Sequence, residues 1–442
     1  MNSASQAQSV LIKFTGYTSF SKWIGYGKFF ITAVTLTLLA ILTACGGGGG
    51  GGTPSSSVVD STFIKTVKTD FYFGAFIAQG KFKNDGNTYV LVTGSQIEKG
   101  GTVPVNIFKL SENGGGVDVT TEILGPNVPT VSTFNLLVAD FNNDGVDDIF
   151  LPGMTDIPSY MTESHLFLSR PGTYHSHRVL ESTWAHGAYA ADINSDGSMD
   201  VIDSNGMMWI NDGAGNFTYK YHMYDNSLFW MNGMGVCVGD FLNDGRKQVI
   251  ITDLNIGPTT PVGDTALFEL DANLKPIARH LLPTPIYDVG NTTLTEKSHD
   301  VRCRIADMNN DGLKDIVVFS RPWASARNDV WAAEGQIQIL INQGNLNFSD
   351  QTNLVGFDAN TNIDYAPILY DFNGDGIPDI WSSPQLLVSG SGTWTRRNHS
   401  QNPNKEISYP IKINGKWGFV YTNGDGTSTN VYFTKPNLSI GL

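Results

Sequence analysis

The chain has 442 residues, of which 40% are hydrophobic and 48 are glycine, and its formal net charge is −14. This length and composition suffice for a large buried core that is interrupted by many turns. The excess of acidic residues makes nucleic acid and anionic lipid headgroups poor partners for the surface.

Residues 1–44 predict a signal peptide rather than part of a folded domain. Their only charged side chains are three lysines, and these precede the apolar segment Phe29–Leu42. That segment is shorter than the roughly 20 residues that span a bilayer. It ends in L-T-A-C, which resembles a bacterial lipobox, so we expect cleavage before Cys45 and diacylation of its thiol. An ordinary cleavage site followed by an incidental cysteine is the alternative.

Residues 45–60 predict a lipidated cysteine on a flexible tether, and residues 61–442 the folded domain. The run Gly46–Gly52 and the T-P-S-S-S that follows it have a reach on the order of 20 Å. Similarity to lipoproteins implies export to the bacterial outer membrane, because Gly46 replaces the Asp associated with inner-membrane retention. Which side of that membrane holds the protein stays open. Loss of the three leader lysines changes the net charge from −14 to −17.

The stretch Val138–Phe150 places five oxygen donors where they can converge on one cation. At positions 1, 3, 5, 7 and 9 of the loop these are Asp140, Asn142, Asp144, the carbonyl of Val146, and Asp148. Oxygen donors on a flexible loop favour Ca²⁺ over Mg²⁺. An EF-hand needs a Glu at position 12, where this chain has Leu151, and the apolar flanks predict strands. The pattern therefore indicates a calcium loop inside a β-hairpin.

The loop recurs in three further complete copies. Their donors are Asp192, Asn194, Asp196, Ser198 and Asp200; Asp307, Asn309, Asp311, Leu313 and Asp315; and Asp371, Asn373, Asp375, Ile377 and Asp379. Two further copies are incomplete: the copy that starts at Lys81 keeps only Asp85, and the copy that starts at Asp240 lacks the donor at position 3 and the carboxylate at position 9. We therefore expect about four Ca²⁺ ions with a structural role.

The loops start 48–67 residues apart, and each is followed by a second pair of predicted strands. One repeat is therefore four antiparallel strands, A to D, with the loop between A and B. Such sheets repeated around an axis form an all-β propeller. We count seven blades, with six or eight as alternatives. The segment Thr62–Lys68 has no blade of its own and would close the ring as the fourth strand of the last blade.

The D-x-N-x-D-G-x-x-D loops between short apolar strands resemble the FG-GAP/VCBS repeats of integrin α-type propellers. The resemblance covers roughly residues 62–434 and implies calcium in blades 2, 3, 5 and 6. It implies little about activity, because one fold serves many functions.

Cys237 and Cys303 each lie in the strand before a loop, at offsets of opposite parity. Opposite parity turns their side chains to opposite faces of their sheets, so the thiols of two neighbouring blades would meet. An inter-blade disulfide and two buried unpaired thiols are both compatible with the sequence.

Long insertions and channel-rim residues indicate a ligand site on the face opposite the calcium loops. The candidate ligand residues are Tyr160, His186, His299, Trp323, Arg327, Trp331 and Asp364. His186, His299 and Asp364 are expected to precede A strands, and the aromatic side chains would suit a sugar or an extended peptide. The alternative is that these side chains only pin loops or line a polar rim. His175 and His177 are expected on an outer strand, facing solvent.

The sequence favours a lipid-anchored binding or adhesion module for carbohydrate or protein over an enzyme. H-E-x-x-H, G-x-S-x-G, G-x-x-x-x-G-K and C-x-x-C motifs do not occur in it. The alternatives are a polysaccharide-acting enzyme, a lyase or hydrolase with its site at the channel mouth, and a structural subunit of an envelope complex.

Overall fold

The structure, a computed structural model, describes most of the chain after residue 60. The described residues are 61–68, 75–94, 102–156, 159–221, 233–253, 265–283, 298–322, 336–352, 355, 367–382, 385–398, 408–424 and 428–434. The predicted signal peptide, Cys45 and the tether lie outside them.

Seven four-stranded antiparallel sheets follow one another along the chain, which confirms the seven-bladed β-propeller. Strands A to D of blade 1 are Ala75–Gly80, Thr88–Gly94, Asn106–Leu110 and Gly116–Asp118. Those of blade 2 are Leu137–Ala139, Asp148–Leu151, Thr162–Leu168 and Ser176–Thr183. Those of blade 3 are Ala188–Ala191, Asp200–Asp203, Met207–Asn211 and Phe217–Tyr221. Those of blade 4 are Gly233–Gly239, Gln248–Asp253, Ala266–Leu270 and Pro276–Leu281.

The last three blades have the same strand order. Blade 5 contains Ser298–Ala306, Asp315–Pro322, Gln336–Asn342 and Phe348–Asp350. Blade 6 contains Ile368–Tyr370, Asp379–Ser382, Gln385–Gly390 and Thr393–Asn398. Blade 7 contains Ser408–Ile413, Lys416–Gly424, Ser428–Thr434 and, as its fourth strand, Ser61–Lys68.

The ring closes through the first strand of the described chain. Ser61–Lys68 pairs antiparallel with Ser428–Thr434, with Phe63 opposite Tyr432 and Thr66 opposite Asn430. The predicted closure is therefore confirmed, and it pairs a sheet edge that would otherwise be open.

The core lies between the blades, and each of the seven blade-to-blade interfaces has its own cluster of buried apolar side chains. At the interface of blades 2 and 3, for example, the rings of Phe150 and Trp209 lie 5.2 Å apart. The whole of Asp148–Leu151 is buried, because each blade of a closed ring has another blade packed on each of its two faces. This explains why the strands after the loops are continuous apolar runs rather than alternating ones.

Cys237 and Cys303 form a disulfide between strands A of blades 4 and 5, with Cα atoms 6.0 Å apart. Both side chains are buried. Of the two alternatives that the sequence left open, the structure contains the bonded one.

Three small elements accompany the blades. They are the helix Thr120–Leu124 and two ladders, Val103–Pro104 with Thr130–Val131 and Thr155–Asp156 with Ser159–Tyr160. Within the described residues, no helix has the length and apolar character needed to cross a membrane.

Candidate calcium loops and the opposite face

Each complete loop begins with a carboxylate that folds back onto the backbone of its own turn. In blade 2, Asp140 accepts hydrogen bonds from Asp144 N at 3.1 Å and Gly145 N at 2.8 Å. The equivalent pairs in blades 3, 5 and 6 span 2.8–3.2 Å. The position-1 Asp therefore organises the turn in every complete copy.

The donors at positions 3 and 5 converge on the same short segment. Asn142 Oδ1 accepts from Asp144 N at 3.2 Å, and Asp144 Oδ1 accepts from Val146 N at 2.9 Å. Blades 3, 5 and 6 repeat both bonds at 2.8–3.1 Å. Three side chains thus gather on one side of the turn, as the spacing predicts.

Two residues of the turn adopt left-handed backbone conformations. Asn143 at position 4 has φ of 57° and Gly145 at position 6 has φ of 82°. Position 4 is Ser195, Asn310 and Gly374 in the other complete loops, all with positive φ. Asn and Gly tolerate this region better than most residues. The small residue at position 4 was therefore a signal in the sequence that the loop pattern D-x-N-x-D-G did not use.

The position-9 carboxylate is a buried support for two backbone segments. Asp148 accepts from Phe141 N at 2.7 Å with one oxygen and from Ser169 N, at the end of strand C, at 2.6 Å with the other. The same two bonds occur at Asp200, Asp315 and Asp379, and all four side chains are 0% exposed. Burial raises the pKa of Asp148, Asp200 and Asp315 to about 6, against the opposing effect of these hydrogen bonds.

The donor set of each loop fits a calcium ion chemically. Positions 1, 3 and 5 supply carboxylate and amide oxygens and position 7 a backbone carbonyl, which are the hard ligands that Ca²⁺ prefers. A carboxylate or amide oxygen that accepts one hydrogen bond keeps a second lone pair for a cation. Among the described residues, no group of three or more His, Cys, Asp or Glu side chains is arranged to hold a metal. The fit therefore depends on the amide and carbonyl oxygens as well as on the carboxylates.

Hydrogen bonds link each of blades 1 to 4 to the next blade of the ring. A side chain of the A–B loop, at position 4 in three cases, donates to a carbonyl of the next A–B loop or, in blade 3, of the turn between strands C and D. The pairs are Lys81 Nζ with Gly145 O at 2.8 Å, Asn143 Nδ2 with Gly213 O at 3.1 Å, Ser195 Oγ with Gly245 O at 3.1 Å, and Asn243 Nδ2 with Gly312 O at 3.0 Å. These bonds tie the turns into a continuous belt on one face of the propeller.

On the opposite face, the structure describes part of the predicted ligand site. Tyr160 lies in the small ladder Ser159–Tyr160 of the blade 2 insertion. His299 lies inside strand A of blade 5, opposite Arg321, and not before that strand as predicted, because the strand begins at Ser298. Trp323, Arg327, Trp331 and Asp364 lie outside the described residues.

His186 precedes strand A of blade 3, as predicted, but it is only 7% exposed. Its ring packs edge-on against Trp184, with centroids 4.9 Å apart, and lies 5.9 Å from the ring of Phe134. Arg302 reaches the same place and donates to Phe134 O at 3.1 Å and Met234 O at 2.8 Å. His186 thus belongs to an aromatic cluster rather than to an open polar rim.

The expectation that His175 faces solvent is wrong. His175 is buried, its Nε2 lies 3.1 Å from Asp147 O, and its backbone N donates to Ile123 O. The short helix contacts it through Ile123, and the ring of Phe82 lies 6.4 Å from its own; sequence spacing does not show such contacts. His177 is exposed, but its ring stacks on Phe167.

Comparisons with known proteins found one family model and several similar solved structures. A family model described as FG-GAP-like repeat matches residues 81–151. No curated protein matches the chain. Similar solved structures include an Agrocybe aegerita lectin whose title names recognition of non-reducing terminal N-acetylglucosamine. It has 15% identity, covers 74% of this chain and 80% of its own, and has a TM-score of 0.43.

Two other solved structures are also similar. A Bacillus licheniformis rhamnogalacturonan lyase has 12% identity, coverage of 86% of this chain and 76% of its own, and a TM-score of 0.39. The protein BBS1N, in complex with ARL6DN, has 7% identity, coverage of 86% and 98%, and a TM-score of 0.45. The chain is thus a seven-bladed β-propeller that contains an FG-GAP-like repeat.

Proposed function

We propose that the protein is a calcium-stabilised binding or adhesion module for carbohydrate or protein, lipid-anchored through Cys45 at the bacterial cell envelope. The observation that carries the proposal is the repetition of one oxygen-donor turn in four blades of a closed ring. A rigid ring with its loops on two faces is a scaffold on which binding loops vary. The insertions that contain Tyr160, Trp323, Arg327 and Trp331 are the proposed ligand-binding loops.

The calcium ions would act on structure. In each complete loop, the side chains at positions 1, 3, 5 and 9 and the carbonyl at position 7 would hold the ion. The bound cation supplies positive charge where three carboxylates of one loop repel each other. Asp148 and its equivalents also fix the loop backbone to the end of strand C by hydrogen bonds, which keeps the turn in the conformation that would surround the ion. Because the folded state binds calcium and the unfolded chain does not, the ion stabilises the fold by mass action.

Thermal unfolding with and without excess chelator tests the calcium sites. We expect the midpoint to fall in chelator and to recover when calcium is added back. Asp311→Ala, in a complete loop, should lower the midpoint in calcium more than in chelator, whereas Asp244→Ala, in the incomplete loop of blade 4, should lower it equally in both. An unchanged wild-type midpoint in excess chelator would overturn the calcium role.

A glycan array, with product analysis on the same sugars, tests the binding function. Binding without turnover supports the binding module. Turnover would establish the polysaccharide-acting enzyme instead. If no glycan binds and an affinity pull-down recovers one protein in stoichiometric amount, the module would be a subunit of an envelope complex.

A further inference from the structure

A cavity of about 320 Å³ lies between blades 5 and 6, at the face that carries the calcium loops. Its walls come from the loops of both blades, through Asn309 and Ile377, and from the turn that follows strand C of blade 6, Gly390–Gly392. The cavity is at the lower end of the range of about 300–1,000 Å³ that is typical of small-molecule pockets. Its lining contains none of the ligand residues predicted for the opposite face, so it is a separate candidate site.

The polar part of the lining is neutral. Gln343 and Ser349 of blade 5, Gln351 after it and Thr393 of blade 6 line the cavity. The hydrogen bonds of the two carboxamides, from Gln343 Nε2 to Ile341 O and from Gln351 Nε2 to Ser349 Oγ, are each 3.5 Å long. Bonds at this length are weak, so both amides can form better ones with a ligand. Each carboxamide offers two donors and an acceptor to it.

The apolar part of the lining is rigid. Ile341 and Trp394 are buried, and Ile377 is half-buried beside them. The indole N–H of Trp394 donates to Pro378 O at 3.1 Å, so the ring is held in place and its polar atom is already engaged. The cavity therefore combines a preformed apolar wall with adaptable polar groups opposite it.

The charge around the cavity selects the ligand class. None of the side chains that line it carries a charge, while carboxylates of the two adjoining loops, Asp311 and Asp375 among them, lie close by in the chain. An anionic ligand would find no cationic side chain in the lining and would meet these carboxylates. A zwitterion would lack an ionic partner for its carboxylate. A sugar ring fits both parts of the lining: its hydroxyl groups can hydrogen-bond to the carboxamides, and its apolar C–H face can pack against Trp394 and Ile341.

We propose that this cavity binds a neutral monosaccharide unit, a hexose or an N-acetylhexosamine, of a longer glycan. The proposal narrows the proposed function to carbohydrate and in that respect rests on it. It adds a site on the calcium-loop face, formed mostly by side chains outside the loop motif, with Asn309 and Ile377 of the loops at its wall.

Methyl NMR of calcium-loaded protein labelled at isoleucine tests the site directly. The probes are free glucose, galactose, mannose and N-acetylglucosamine, with sodium glucuronate as the anionic counterpart. Ile341→Val and Ile377→Val assign the two methyl signals. We expect at least one neutral sugar to shift both signals at millimolar concentration and glucuronate to leave them unchanged. Gln351→Leu should weaken that binding about tenfold, the loss expected for a neutral hydrogen bond. Gln79→Leu, an exposed glutamine of blade 1, should leave it unchanged.

The outcomes separate this site from the proposed function. If no neutral sugar shifts the two methyl signals, or if only glucuronate does, the site is overturned, whereas a positive glycan array would still support the binding module. Sugar-dependent shifts with a negative array and no bound partner would support the site and overturn the adhesion function. Because the shifts are measured on the unmodified chain, a variant that fails to fold does not affect this result.

Discussion

The neighbouring loops of blades 3 and 4 differ in composition but not in shape. The loop of blade 3 has all its donors, whereas that of blade 4 has Leu242 at position 3 and Gln248 at position 9. Asp240 nevertheless accepts from Asp244 N and Gly245 N at 3.2 and 2.8 Å, as Asp192 does from its own turn at 2.9 and 3.0 Å. The turn is therefore formed by position 1 and the left-handed residues, and the complete donor set serves a further purpose.

The residue at position 9 accepts a backbone hydrogen bond in both blades, although it is a carboxylate in one and an amide in the other. In blade 3, Asp200 accepts from Ile193 N at 2.9 Å and from Asn211 N at 2.8 Å. In blade 4, Gln248 Oε1 accepts from Phe241 N at 2.8 Å, and its amide group donates to the carbonyl of Arg246. The buried acceptor is retained and the charge is lost. A carboxylate at position 9 is therefore expected where a cation is bound, and an amide where none is.

In the incomplete loops, the position-5 carboxylate is engaged by another side chain of the same loop. In blade 4, Arg246 donates through Nε and Nη2 to Asp244 at 2.9 and 2.5 Å. In blade 1, Lys81 stands at position 1, and the hydroxyl of Tyr89, at position 9, donates to Asp85 at 2.6 Å. The comparison indicates that the turn of this repeat forms without the complete donor set.

Replacing position 9 should give the largest effect. Asp200→Ala leaves two buried amides without acceptors and, at about 1–3 kcal/mol for each, should cost about 2–6 kcal/mol. Gln248→Ala leaves one such amide and should cost about half as much. Urea unfolding in excess chelator measures both, because calcium then contributes to neither. Asp200→Asn, which keeps one of the two acceptor oxygens, is the control and should lose less than Asp200→Ala; equal losses for the two variants would show that the charge matters and the hydrogen bonds do not.

Removing the disulfide should give the next effect, at the junction of incomplete blade 4 with complete blade 5. The bond links residues 66 apart in sequence. A closed loop of this length restricts the unfolded chain and typically contributes about 2–4 kcal/mol. Cys237→Ala with Cys303→Ala should lower the urea midpoint to that of the reduced wild type. If oxidised and reduced wild type unfold at the same urea concentration, the bond does not stabilise this junction.

Repeating local patterns were the part of the structure that the sequence could predict. The loop positions, the four-strand repeat and the closing strand all depend on spacing along the chain, and the closing strand predicted at Thr62–Lys68 is observed at Ser61–Lys68. Contacts between distant residues were not predictable in this way. The burial of Asp148 depends on Ser169 of strand C, and that of His175 on the carbonyl of Ile123.

The position of the candidate ligand sites was harder to predict for a related reason. Aromatic and charged residues on insertions are visible in a sequence, and they indicate a site on the face opposite the calcium loops. The cavity between blades 5 and 6 is lined by Gln343, Gln351 and Trp394, which belong to ordinary turns and strands. Only the packing of two blades brings them together, and no motif marks it.

Strand B of blade 3 begins with a buried aspartate of the loop, Asp200, and ends with a buried aspartate outside the loop, Asp203. Asp203 therefore shows what burial does to a carboxyl group without the influence of the loop. Asp203 accepts from the hydroxyl of Thr183 at 2.6 Å and from Asn205 N and Met207 N at 2.9 Å. Burial nevertheless raises its pKa to about 6, from an ordinary value near 4. The folded protein therefore holds this proton up to about pH 6, while the unfolded chain releases it near pH 4. The stability that the protonated group contributes is complete below pH 4 and is lost as the pH rises to about 6.

Asp203→Asn should remove that pH dependence, because an amide keeps an acceptor for the two backbone N–H groups and does not titrate. The difference in urea midpoint, variant minus wild type, should increase from pH 4 to pH 6 and stay constant from pH 6 to pH 8. Calcium should not change the difference, since Asp203 is outside the loop. A difference that is constant from pH 4 to pH 8 would contradict the raised pKa.

The smallest expected effect tests whether Arg246 replaces a cation in the loop of blade 4. Arg246→Gln removes the ion pair with Asp244, and because both groups are exposed the melting temperature should fall only slightly. The fall should shrink at high salt, which screens exposed charges, and should be the same with calcium and with chelator. Lys247→Gln removes the same charge one residue later and is the matched control; it should have a smaller effect. If Arg246→Gln destabilises the protein only in chelator, the variant loop has gained calcium binding, and the guanidinium is what kept the ion out of blade 4.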